Sequence, residues 1–98
     1  MSSPYLRGGI PRHINGTTVN PAAVENWSWP DGVANYLWFE NAGGGAITLS
    51  FSKDDADAGR GITVAGGAVW KGPAEIAGFY TQSAAAQSFE AVVFIRRG

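Results

Sequence analysis

The residues able to do chemistry are few and poorly grouped. The chain has one histidine, His13, and no cysteine. One imidazole cannot build a zinc site, which needs three or four N, S or O ligands. Asp54, Asp55 and Asp57 share one loop. A calcium loop of the EF-hand kind wants alternating oxygen ligands, a central glycine and a closing glutamate. Here Gly59 comes late and no such glutamate follows, so the three read as solvated turn charge. Serine and threonine are plentiful, but there is no Gly-x-Ser-x-Gly and no nearby base to activate a hydroxyl. Glu40 and Glu90 both fall on strand positions and could face each other as a glycosidase pair. Exposed strand glutamates are the commoner case. Gly43-Gly44-Gly45 lacks the Gly-Lys-Ser/Thr ending of a phosphate loop and reads as a hairpin tip or a site of close backbone approach. Arg96-Arg97 is too small a cluster for a nucleic-acid site. This inventory points away from an enzyme, and to no metal and no cofactor.

What the chain does spend residues on is aromatic surface and glycine. Four tryptophans and fourteen glycines occur in 98 residues. Trp27 and Trp29 flank Ser28 and would project on one side of an extended segment. Trp38 falls on the second face of a strand, and Trp70 on a short strand before Gly72-Pro73. Tryptophan is enriched at interface anchors, and it equally completes small cores. The expected partner-contact residues are Tyr5, Ile10, Ile14, Trp27, Trp29, Tyr36, Trp38 and Trp70.

Positioning these residues falls to a single domain. Gly, Val, Ile, Thr and aromatics dominate, a vocabulary for strands and tight turns. Four of the five prolines lie in residues 1–33, which show no hydrophobic period. This stretch reads as an extended N-terminal arm. It has turn signals at Asn15-Gly16 and Trp29-Pro30-Asp31-Gly32, and a possible helical start at Asn20-Pro21. Residues 34–98 read as β-structure. Strands are expected over 35–40, 46–52, 62–64, 68–71, 76–81 and 88–96, with a hairpin joining the first two and a polar loop over 53–61. The pattern predicts an all-β fold: a small antiparallel β-sandwich, jelly-roll-like, or a barrel of six to seven strands.

Two runs are apolar on both faces, Tyr36 to Phe39 and Ala91 to Ile95. An antiparallel sheet usually keeps one face wet, so a second apolar face needs a cover, from the arm or from a neighbouring subunit. The formal net charge of −1 offers no basic field for nucleic acid. No apolar run approaches the ~20 residues of a membrane span. The start lacks the charged and apolar regions of a signal peptide, so synthesis in a cytoplasm, without export by that route, is expected.

Residues 42–97 resemble the small β-sandwich structural proteins of tailed bacteriophages. The resemblance lies in Ala46-Ile47-Thr48-Leu49-Ser50-Phe51, the run Gly61-Ile62-Thr63-Val64-Ala65-Gly66-Gly67-Ala68-Val69-Trp70, Ile76-Ala77-Gly78-Phe79-Tyr80, and the closing Phe89-Glu90-Ala91-Val92-Val93-Phe94-Ile95-Arg96. It implies a non-enzymatic virion protein. That would be a head decoration (cement) protein, or less often a piece of tail, baseplate or fibre. It also implies a homotrimer that binds the major capsid protein or another virion protein. A carbohydrate- or receptor-binding module stacking sugars on Trp27, Trp29 or Trp70 is the alternative.

Overall fold

The structure, a computed structural model, describes residues 10–18, 24–30 and 32–96. It contains eight strands: β1 (Ile10–Thr17), β2 (Glu25–Ser28), β3 (Ala34–Asn41), β4 (Ile47–Ser50), β5 (Ile62–Val64), β6 (Val69–Ile76), β7 (Gly78–Gln82) and β8 (Ser88–Ile95). One short helix, α1 (Lys53–Asp57), interrupts the loop between β4 and β5. Among the described residues no helix is long and apolar enough to cross a membrane.

Two four-stranded sheets result, in the orders β1-β8-β3-β6 and β2-β7-β4-β5. Every pairing is antiparallel, and β1 meets β8, β2 meets β7, β3 meets β6, and β4 meets β5. The chain is thus one long hairpin, with its tip between β4 and β5, wound into two layers. This is jelly-roll topology. The core is built by alternation. Leu37 and Phe39 of β3, and Phe89, Ala91, Val93 and Ile95 of β8, point inward from the first sheet. Ile47, Leu49, Val64 and Phe79 meet them from the second. Three phenylalanines form the centre. Phe39 stacks on Phe89 at 5.1 Å, and Phe79 lies edge-on to both, at 5.6 and 5.9 Å.

Residues 10–17 and 25–28, expected in a separate arm, are instead integral strands, one in each sheet. The positions of β1 opposite the inward Val93, Ala91 and Phe89 are Arg12, Ile14 and Gly16. Arg12 stays exposed at the sheet edge, and Gly16 has no side chain, so no alternation shows in the sequence. Asn15-Gly16 is therefore strand and not a turn. The glycine is needed because a Cβ there would sit 2.5 Å from the Trp27 ring. Gly16→Ala should destabilise the fold by about 1–3 kcal/mol, as overpacking does, measured by chemical denaturation. The Asn20-Pro21 helix start lies outside the described residues.

Three further expectations change. The run 35–40 and the run 46–52 do not form a hairpin; β3 and β4 belong to different sheets, and the three glycines carry the chain across. Gly66 packs on them so closely that a Cβ would lie 2.7 Å from the Gly44 backbone. Next, β6 does not stop at Gly72-Pro73. It is an edge strand, where a proline lacking its N–H is tolerated, and Pro73 lies opposite Tyr36. Finally, the polar loop holds α1. Ser52 caps it by accepting from the Asp55 amide at 3.1 Å, with Asp54 and Asp55 in the first turn. Lys53 donates to Asp57 at 2.6 Å, and that bond, with the carboxylate's charge, raises the lysine's pKa.

Candidate functional site

The register builds the outer face of the first sheet row by row. Pro11, Phe94, Tyr36 and Pro73 lie side by side across β1, β8, β3 and β6. The next row is His13, Val92, Trp38 and Lys71, and the third is Asn15, Glu90, Glu40 and Val69. Seven of these twelve side chains are apolar or aromatic, and they concentrate in the first two rows. Tyr36 and Phe94 pack edge to face at 5.9 Å. Both are half-buried, as are Trp38 and Val92, while Val69 is 44% exposed.

The second sheet behaves differently. Its outer positions carry Asn26, Tyr80 and Ser50 in one row and Gln82, Thr48 and Thr63 in another. These side chains are polar, as on the solvent face of an antiparallel sandwich, and the buried one, Ser50, donates to the Arg60 carbonyl at 2.9 Å. The two strands that read as apolar on both sides, β3 and β8, are neighbours in the first sheet, so their second faces merge into one patch. A contiguous apolar patch ringed by polar groups is the signature of an interaction surface.

Charge on this face is uneven. Glu40 and Glu90 stand directly opposite on adjacent strands, and like charges so placed repel. His13 Nε2 lies 3.3 Å from Glu90 Oε1, with both side chains more than half exposed. A depression of about 350 Å³ at this end is lined by Asn15, Thr17, Ser88 and Glu90, without Glu40. The two carboxylates therefore share a flat surface and do not flank a common cleft, as a glycosidase pair must. In α1 and its loop, Asp57 holds Lys53 and Asp55 accepts from Arg60 Nε at 3.0 Å. Among the described residues no group of three or more His, Cys, Asp or Glu could hold a metal ion.

The expected contact residues divide sharply. Tyr36 and Trp38 lie on the outer face. Trp27 turns inward: its Nε1 donates to Thr81 Oγ1 at 2.9 Å and its ring meets Phe89 edge-on at 4.9 Å. Trp29 is 5% exposed and donates to the Gly32 carbonyl at 2.8 Å. Trp70 is inward, opposite Phe39, with its ring 5.4 Å from Phe51. Ile14 packs against the core. These four are core or core-flanking residues, because Trp27, Trp70 and Ile14 have inward parity on their strands and Trp29 continues that of β2 just past its end. Ile10 opens β1 opposite Ile95, and Tyr5 lies outside the described residues. Of the four tryptophans only Trp38 faces out. Pro11, Val69, Pro73, Val92 and Phe94 were not anticipated as contact residues. The signal that could have found Val92 and Phe94 was present in the doubly apolar run 91–95.

No protein-family model, no curated protein and no solved structure matches this chain.

Proposed function

We propose that this protein is a non-enzymatic structural component of a tailed-phage virion, of the head decoration or cement type. The observation that carries the reading is the outward apolar face centred on Tyr36, Trp38, Val92 and Phe94, on which no other described strand is paired or stacked in the sheet order. It is supported by the likeness of residues 42–97 to small phage β-sandwich proteins. In this reading the outer face of the first sheet docks on the major capsid protein, or on another copy of the chain in a trimer around a shell axis. The protein is made in the host cytoplasm and resides in the virion.

The mechanism is linkage. A face buried only in the assembled shell adds its free energy only to that state, and so shifts the equilibrium against disassembly. Each apolar side chain removed from water there contributes on the order of 1 kcal/mol, multiplied over many copies. The alternative, sugar stacking on Trp27, Trp29 or Trp70, loses its platform because all three rings turn inward.

The test is the composition of gradient-purified particles from the virus or induced culture that carries the gene. The chain is expected there in many copies, by mass spectrometry with gel densitometry. Its absence from the particles overturns the reading.

A further inference from the structure

The end of the sandwich where β6 passes into β7 carries a second feature. A cleft of about 340 Å³ opens beside β2 and β7, at the bend at Ala77 where the chain crosses from β6, with the buried Ile76 in its wall. Asn26 and Ser28 line it from β2, Gly78 and Tyr80 from β7, Phe51 from behind β4, and Glu75 from the end of β6. The depression beside Glu90 is of similar volume, and what sets this cleft apart is its two aromatic side chains.

From the chemistry of these six residues we propose that the cleft binds a neutral carbohydrate. Two part-exposed aromatic side chains line it, Tyr80 and Phe51, the latter backed by Trp70 and the core, and the C–H face of a pyranose ring packs on such apolar walls. An amide, two hydroxyls and a carboxylate surround them, a set that both donates to and accepts from sugar hydroxyls. Glu75 is oriented by Arg96, whose Nη2 donates to its Oε1 at 3.0 Å. No lysine or arginine lines the cleft, so phosphate and carboxylate ligands find no counter-charge. Its openness to solvent disfavours a wholly apolar ligand, which needs enclosure.

Gly78 keeps the floor bare. A Cβ there would lie 2.9 Å from the Trp27 carbonyl oxygen and 3.0 Å from Ser28 Cβ. The close approach of β2 to β7 thus excludes a side chain where a sugar ring would rest. The site differs from the sugar platform expected from the sequence, since none of the four tryptophans lines it. It lies where the chain crosses from β6 to β7, and none of Tyr36, Trp38, Val92 and Phe94 lines it, so its failure would leave the docking proposal standing, and the reverse.

The test is an amide-resolved NMR titration of the intact chain with maltohexaose, cellohexaose, chitotriose, mannohexaose and galactose at up to 20 mM, about the concentration weak single-site sugar binding demands. At least one is expected to shift the amides of residues 26–28, 51 and 75–80 saturably. Asn26→Ala, at an exposed position, should weaken that binding at least about fivefold with the melting temperature unchanged. Tyr80→Phe, which keeps the ring, should weaken it less than Tyr80→Ala. Flat spectra across the panel overturn the proposal. So do shifts that survive both Asn26→Ala and Tyr80→Ala, or shifts that map to Tyr36, Trp38 and Phe94.

Discussion

Phe39→Ala is expected to destabilise the fold by about 4 kcal/mol, the range measured for truncating a fully buried phenylalanine. Phe39 is wholly buried and touches both other rings of the central cluster, 5.1 Å from Phe89 and 5.6 Å from Phe79. Removing it opens a cavity that two sheets hydrogen-bonded along their lengths cannot collapse to fill. Domains of this size hold only about 5–15 kcal/mol in total. At roughly 4–8 °C per kcal/mol, the melting temperature should fall by at least 15 °C. Phe94→Ala is the matched control. It removes the same ring from the same sheet, on the outer face, and should cost about 1 kcal/mol because Phe94 is only half-buried. Thermal denaturation of the pair reads the parity of β3 and β8 directly. Equal losses would mean that the outer face is as buried as the inner one.

Asn41→Leu should cost about 3 kcal/mol, although leucine is close to asparagine in size. Asn41 is wholly buried at the end of β3. Its Nδ2 donates to the Gly45 carbonyl at 2.7 Å and the Val64 carbonyl at 2.9 Å, and its Oδ1 accepts from the Gly43 amide at 2.9 Å. One side chain thus ties the glycine crossing to both sheets. Leucine would strand two carbonyls and an amide, each at about 1 kcal/mol or more. Hydrogen exchange at Gly43 should accelerate in step with the loss of stability. A gain in stability, or an unchanged Gly43 amide, would contradict this account of the crossing.

The strand-rich core was legible because β3, β4 and β8 alternate strongly. Ile47 and Leu49 are buried as their spacing requires, and Phe89, Ala91, Val93 and Ile95 form one inward row. What stayed hidden was pairing over long separation. Nothing local in Ile10 to Thr17 says that it runs beside Ser88 to Ile95. Gly16 is silent until the Trp27 ring is in place over it. The buried polar links were equally hidden. Thr18 Oγ1 meets Ser83 Oγ at 2.6 Å and accepts from the Gln87 amide at 2.8 Å, a contact no spacing rule predicts. At the candidate surface, the run 36–39 exposed its doubly apolar character, and Trp38 followed from it. Trp27, Trp29 and Trp70 were misplaced because residue type speaks for aromatic surface, while strand parity decides which side it faces.

The central claim is that the outer face of the first sheet is where the protein docks. The most direct measurement is co-sedimentation of purified chain with particles that lack it. Wild-type chain and Thr63→Lys, a change on the wet face of the second sheet, should pellet with the particles to the same extent. Trp38→Ala and Val69→Lys, with melting temperatures within a few degrees of wild type, should remain in the supernatant at concentrations where wild type is bound. Equal pelleting of all four proteins, or none by the wild type, would contradict the account.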